Sequence, residues 1–209
     1  LSVISPPQTD SRFRTEAVKK TEHFASKSGI EVITDKGLDR LHKTIEEKNP
    51  NGVVICSYDK IIPKETLSLS RFINVHHGDL PRYRGRANLN WAIINGRDSI
   101  GITIHQAEEN LDSGGIYKTY MIPINQEDYI SDLYNKVNRI IENDLPSLVN
   151  LILEGKMPPK KQEGTPTYCC TRIPEDSKIN WDKSTKEIYN LIRGVSKPFN
   201  GAYCFMDND

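Results

Sequence analysis

Asn74, His76 and Asp112 are the residues whose types and spacing best suit chemistry on a carbonyl group. The first two open the run Asn74-Val-His-His-Gly-Asp-Leu-Pro-Arg-Tyr-Arg-Gly-Arg86. Two residues apart, they share a face if the segment is a strand, and the chain then turns at Gly78. A neutral imidazole accepts a proton near neutral pH, and a carboxamide N–H donates to an oxygen that gains negative charge. Together they suit attack of a nucleophile on a carbonyl carbon without a metal. Such a histidine needs a carboxylate to orient it and balance its charge. Asp112, between Glu108-Glu109-Asn110 and Ser113-Gly114-Gly115, is the best candidate. His77 faces the other way and reads as structural. Arg82, Arg84 and Arg86 bring three guanidinium forks, which match phosphate oxygens. Each feature has an ordinary alternative. A histidine at a strand end is more often simply hydrogen-bonded, closely spaced arginines are more often a solvated loop, and Asp before Ser-Gly-Gly is also a turn former. Spacing alone leaves catalysis the minority reading.

These side chains need elements to hold them. Gly52-Val-Val-Ile-Cys56 is an unalternating apolar run, which predicts a strand buried on both faces. Further strands are predicted at 1–4, 30–33, 72–77, 100–106 and 116–124. Ala17, Val18, Phe24 and Ala25 mark an amphipathic helix over 15–28, closed by Gly29. Leu38, Leu41 and Ile45 mark a second, ended by Asn49-Pro-Asn-Gly52. Helices are also predicted at 88–95, at 129–154 with Pro146 expected to kink or divide it, and around Ile188, Leu191 and Ile192. Strands separated by helices imply an α/β fold with a parallel or mostly parallel sheet. Such sheets bind ligands at the carboxyl ends of their strands, where Asn74 and His76 stand. Met157-Pro-Pro-Lys-Lys161 reads as a linker, giving a main domain over 1–156 and a small C-terminal extension over 157–209.

Composition narrows the class. The 209 residues are 36% apolar and 27% charged, as in globular proteins. Lys plus Arg and Asp plus Glu number 28 each, for zero net charge. That balance argues against nucleic acid as the main partner, since its binders carry a basic excess. No run reaches the roughly 18 apolar residues that span a bilayer, and no signal peptide is recognisable. A cytoplasmic protein without membrane association is expected. Cys56, Cys169, Cys170 and Cys204 have no metal-ligand spacing, so reduced thiols and no metal are expected.

Phe72-Ile-Asn-Val-His76, Leu80-Pro-Arg-Tyr-Arg-Gly85, Asn90-Trp-Ala-Ile-Ile-Asn-Gly96, Gly101-Ile-Thr-Ile-His105 and Leu111-Asp-Ser-Gly114, in that order, resemble the core of the formyltransferases that use N10-formyltetrahydrofolate. The resemblance implies a Rossmann-like, mostly parallel sheet flanked by helices, with Asn74, His76 and Asp112 as the catalytic trio. His76 would take a proton from the attacking amine, Asn74 would donate to the oxyanion, and Asp112 would position His76 and help pass the proton to the folate nitrogen. It also implies N10-formyltetrahydrofolate as co-substrate. The pteridine would lie against the Ser57-Tyr-Asp-Lys-Ile-Ile62 loop, engaging Tyr58, Lys60, Ile61 and Ile62, and near Asn110 and Asp112.

Arg172-Ile-Pro-Glu-Asp176, Ile179-Asn-Trp181, Ile192-Arg193 and Pro198-Phe-Asn-Gly-Ala-Tyr203 resemble the stretch after the catalytic domain in methionyl-tRNA formyltransferase and, more closely, in sugar N-formyltransferases. Arg84-Gly-Arg-Ala-Asn-Leu-Asn-Trp91 and the zero net charge lean toward the sugar branch. That branch implies a UDP- or dTDP-linked amino sugar as formyl acceptor, with Arg82, Arg84 and Arg86 as candidates for its phosphates. It also implies a place in lipopolysaccharide O-antigen biosynthesis, and a homodimer as a candidate assembly. The competing readings are formylation of methionyl-tRNA, which would need a basic domain beyond Asp209, and an inactive folate-binding relative. Members of the family begin with another strand and helix that nothing here matches. The resemblance therefore implies a piece of a longer chain.

Overall fold

The computed structural model describes residues 1–5 and 12–205. It divides into two compact units, Leu1–Pro50 with Ile62–Ser70, and Asn51–Ile61 with Arg71–Asp209.

In the first unit, strand β1 (Ser2–Ser5) pairs in parallel with β2 (Glu31–Thr34), Ser2 opposite Glu31 and Ser5 opposite Thr34. Helix α1 (Arg12–Lys27) joins them, as a parallel pair requires. Its buried face carries Val18 and Ala25, seven residues apart, whereas Phe24 is 70% exposed. Phe24 therefore lies off the predicted stripe, one helical step of about 100° from Ala25. The side chain of Ala17 lies outside the described residues. Helix α2 (Leu38–Lys48) buries Leu41, Thr44 and Ile45 and ends on Asn49, whose φ of 41° is a left-handed cap. The short α3 (Lys64–Leu67) completes this unit.

The second unit carries the candidate chemistry. Its strands are β3 (Val53–Cys56), β4 (Phe72–His76), β5 (Arg84–Gly85), β6 (Ser99–Gln106), β7 (Ile116–Pro123) and β8 (Tyr168–Cys169). Its helices are α4 (Asn88–Ile94), α5 (Ile130–Leu153) and α6 (Thr185–Val195), with a 3-10 turn at Pro174–Ser177. The order in the main sheet is β3-β4-β6-β7. β3 and β4 run parallel, β6 is antiparallel to both β4 and β7, and β5 pairs in parallel with β8. With β1 and β2, this is the expected α/β arrangement rich in parallel pairs, extended by an antiparallel side.

Alternation along β4 and β6 decides which residues reach the core. Ile73 and Val75 of β4 and Ile100, Ile102 and Ile104 of β6 join one buried cluster with Leu89 and Ile93 of α4 and Ile130, Leu133 and Val137 of α5. Asn74 and His76 are thereby committed to the opposite face, along with Gly101, Thr103 and His105. On the core side, His77 packs edge-on against Tyr134 of α5, with ring centroids 6.2 Å apart.

Two expectations fail here. β3 is not buried on both faces, since its residues alternate between half-buried and exposed and Val54 is 40% exposed. Its apolar run matches a central strand, but among the described residues β3 is the end strand of this sheet, paired with β4. Of the kink or division expected at Pro146, division does not occur, because α5 runs unbroken from Ile130 to Leu153. A proline inside a helix costs about 3 kcal/mol. Burying one Val, Leu or Ile side chain gains about 1.5–3 kcal/mol, and α5 buries Val137 before the proline and Leu148 and Ile152 after it.

Candidate active site

Beyond the last residue of β4 the chain must reverse tightly. A Cβ at Gly78 would lie 2.5 Å from the Tyr83 carbonyl oxygen and 2.6 Å from His76 Nε2, so only glycine fits without displacing both. Tyr83 adopts a left-handed φ of 56°, and its carbonyl accepts a hydrogen bond from His76 Nε2–H at 2.7 Å. The Asn88 amide, from the first turn of α4, lies 3.2 Å from the same nitrogen. Because Nε2 donates to a carbonyl, the neutral ring carries its lone pair on Nδ1. That atom stands 3.5 Å from Asp112 Oδ2, and the two side chains are 6% and 8% exposed.

Asp112 reaches this point through an unusual backbone. Its φ is 49°, a left-handed conformation that Asp tolerates better than most residues. The Asn110 carbonyl accepts from Ser113 N–H and Oγ and so shapes the turn. A Cβ at Gly114 would lie 1.9 Å from the Gln106 carbonyl oxygen, so glycine there lets the loop press on the end of β6. Gln162 Nε2 donates to the carbonyls of Asp112 and Gly114, each at 2.8 Å. The carboxylate itself accepts from Gly85 N–H at 2.8 Å.

The β4–β6 register sets Asn74 directly opposite His105. His105 Nδ1–H donates to the Gln106 carbonyl at 2.7 Å, which leaves Nε2 to accept from Asn74 Nδ2–H at 3.0 Å. The other Asn74 amide hydrogen faces Asp112 Oδ1 at 3.4 Å, the weakest contact of the set. Thus the orientation of the Asn74 amide follows from one backbone carbonyl, relayed through His105.

Burial sets the charges. It pulls the His76 imidazole below its ordinary range, outweighing the nearby Asp112 carboxylate and the Tyr83 hydrogen bond. Burial also pushes the Asp112 carboxyl up, but the His105 ring, the His76 ring and Gly85 N–H together outweigh it and leave its pKa lowered. His77 is drawn down to about 4, mainly by burial and then by repulsion from His76. The resting site is therefore a neutral His76 beside an ionised Asp112, a base with its counter-charge in place.

Asn74, His76 and Asp112 are thus brought together. Arg82 is exposed and pairs with Asp79 at 2.5 Å. Arg84 donates to Gln162 Oε1 at 2.7 Å and to the Tyr168 hydroxyl at 3.1 Å, so it touches the residue that pins the Asp112 loop. Arg86 is exposed, and its backbone N–H donates to the Cys169 carbonyl at 3.1 Å. Tyr58 is half-buried, with Lys60 Nζ 5.8 Å from its ring centroid, and Ile61 is 62% exposed. These residues follow β3, whose Cys56 pairs with Val75, so the loop leaves the sheet at the end that carries His76. Ile62 is buried and belongs to the first unit. Asn110 is exposed on the turn before Asp112.

Sequence reasoning assigned no role to His105, Tyr83, Asn88 or Gln162. A signal for His105 existed, since Gly101, Thr103 and His105 alternate with Ile100, Ile102 and Ile104, a period of two that puts the histidine on the face of Asn74. Tyr83 acts through its backbone, and Asn88 and Gln162 lie outside any local pattern.

Residues 2–149 match the formyl transferase family model and residues 173–209 the model of the formyl transferase C-terminal domain. The methionyl-tRNA formyltransferase of Malacoplasma penetrans is 32% identical over 213 residues, covering 99% of this chain and 65% of that protein. The chain spans about two thirds of the length of the curated relatives it matches. Among solved structures, the methionyl-tRNA formyltransferase from Clostridium thermocellum superposes with a TM-score of 0.72 at 23% identity, covering 97% of this chain and 86% of that one. An N-formyltransferase from Helicobacter canadensis, in complex with folinic acid and dTDP-3-aminofucose, gives 0.69 at 26% identity over 84% of this chain and 64% of that one.

Proposed function

The chain belongs to the formyl transferase family, and from that premise we propose that it transfers a formyl group from N10-formyltetrahydrofolate to the amino group of a nucleotide-linked amino sugar. The observation that carries the transfer chemistry is the clustering of the buried His76 and His105 with the half-buried Asn74 and Asp112, with a neutral imidazole facing an ionised carboxylate.

The steps follow from the donors and acceptors. The amine nitrogen attacks the formyl carbon, forming a C–N bond and placing negative charge on the formyl oxygen. Asn74 supplies an N–H to that oxygen, and the hydrogen now spent on the weak 3.4 Å contact with Asp112 is the one to give. Such a donor is typically worth about 10²–10³ in rate. His76 accepts the amine proton at Nδ1, and the imidazolium is held between the Tyr83 carbonyl and Asp112. The proton then passes to the folate N10 as the bond from that nitrogen to the formyl carbon breaks. Tyr58, Lys60, Ile61 and Asn110 are assigned to the pteridine, Ile62 being buried in the first unit, and Arg82, Arg84 and Arg86 are assigned to the phosphates. Residues 157–209 are assigned to the linker and the start of the C-terminal domain.

Zero net charge and the dTDP-3-aminofucose bound by the Helicobacter neighbour favour the sugar acceptor. A second reading, formylation of methionyl-tRNA, is favoured by the names of relatives near 32% identity. Release of tetrahydrofolate, followed with a panel of dTDP- and UDP-amino sugars and with methionyl-tRNA, separates them. Turnover with a sugar alone supports the proposal, and turnover with tRNA alone replaces it by the second reading. With neither acceptor turned over, the chain is a folate-binding relative.

A further inference from the structure

The same pocket has a property that formyl transfer does not require. His76 commits Nε2–H to the Tyr83 carbonyl and His105 commits Nδ1–H to the Gln106 carbonyl, both at 2.7 Å. The second nitrogen of each ring therefore carries a lone pair and lies beside the same carboxylate, His105 Nε2 also accepting from Asn74 N–H at 3.0 Å. His76 Nδ1 stands 3.5 Å from Asp112 Oδ2 and His105 Nε2 stands 3.6 Å from Asp112 Oδ1.

We propose that His76, His105 and Asp112 form a three-ligand site for Zn2+, which inhibits formyl transfer by occupying the lone pair that the base must use.

The donor set and its surroundings fit that ion. Two histidines and one carboxylate with an open fourth position are a usual zinc arrangement. With Zn–N and Zn–O distances of about 2.0–2.2 Å, two ligands at a tetrahedral angle are about 3.3–3.6 Å apart. His76 Nδ1 has that separation from Asp112 Oδ2 and His105 Nε2 has it from Asp112 Oδ1; one ligand atom from each of the three residues lies within 4.8 Å of the others, so a small side-chain movement closes the set on one ion. Metal-binding histidines usually donate their other N–H to a carbonyl or carboxylate, and metal-binding carboxylates usually accept a further hydrogen bond. Both rings meet the first condition, and Asp112 meets the second through Gly85 N–H. Binding also takes His105 Nε2 away from Asn74, so the oxyanion donor loses its support as the base loses its lone pair. The ion is an inhibitor supplied from solution, which is compatible with a reaction that uses no metal.

Binding is tested on the chelator-treated protein with no folate present, by calorimetric titration with Zn2+ and by the visible absorption of Co2+ as a stand-in. The expected result is one ion per chain and a tetrahedral Co2+ spectrum, both kept when Cys169 and Cys170 are changed to Ser. His105→Gln and Asp112→Asn should each weaken Zn2+ by more than the roughly 10–100-fold typical of an outer-shell partner, with folding checked by circular dichroism. The two variants keep the test open if one fails to fold. Failure to bind, or binding retained in a folded variant of either kind, overturns the site. The inhibitory role rests on the formyl-transfer reading and is tested apart, by activity lost on adding Zn2+ and restored by chelator. Full turnover at saturating Zn2+ overturns that role, and a protein without formyltransferase activity still answers the binding test.

Discussion

Replacing Asn74 by Ala tests the oxyanion assignment and the hydrogen-bond relay together. The amide nitrogen gives one hydrogen to His105 Nε2 at 3.0 Å and points the other at Asp112 Oδ1 at 3.4 Å. Truncation removes both and leaves Nε2 of a histidine that is 1% exposed without its donor. An unsatisfied buried acceptor costs about 1–3 kcal/mol. At about 2–4 °C per kcal/mol for a domain of this size, the melting temperature should fall by several degrees. The catalytic loss is separate. Losing one oxyanion donor raises the barrier by about 2.7–4 kcal/mol, or 10²–10³ in kcat. The assay is tetrahydrofolate release at saturating substrates, with folate affinity measured in parallel, at a temperature where the variant is folded. The expected pattern is a large fall in kcat, a modest fall in stability and nearly unchanged folate affinity. A kcat within a few-fold of the parent would refute the role of Asn74. A kcat loss matched by equal loss of folate binding would show that the residue supports the pocket and not the reaction.

Three further outcomes follow from the same geometry. His76 and His77 both have folded pKa values below 6.5, His77 near 4, because burial disfavours the charged rings; the unfolded chain therefore binds more protons below pH 6.5, and stability should decline as pH falls from about 6.5 toward 4. Denaturant titrations across that range check it, and a flat profile would contradict the assigned burial of both rings. Gly78→Ala forces apart the Tyr83 carbonyl and His76 Nε2, so it should lower stability by about 1–3 kcal/mol and reduce kcat; a variant with parental melting temperature and turnover would remove Tyr83 as the anchor of the ring. Pro146→Ala restores a helical N–H inside α5 and should raise unfolding free energy by about 1–3 kcal/mol, read by denaturant midpoint, with activity unchanged.

The proposed trio could be picked out because two of its signals are local, although only the family resemblance gave them a catalytic meaning. Asn74 and His76 share a strand face by alternation alone, and Asp112 sits in a turn of recognisable residue types. Most helices and strands were likewise legible from the period of their apolar residues. Where such reading failed, a distant neighbour decided. Val54 looks like a central-strand residue but belongs to the end strand of its sheet, and Pro146 looks like a break but lies in a helix held by burial on both sides.

By itself, the order of residues determined the α/β class and placed Asn74, His76 and Asp112 as the candidate amide, base and carboxylate of the proposed function. Only the tertiary structure decided how they are oriented. The antiparallel register of β4 and β6 placed His105 opposite Asn74. The Tyr83 carbonyl chose the tautomer of His76, and Gly85 N–H and Gln162 fixed Asp112 and its loop. The physical reason is that strand faces follow from covalent geometry along a few residues, whereas hydrogen-bond direction in a buried site depends on groups brought together from distant parts of the chain.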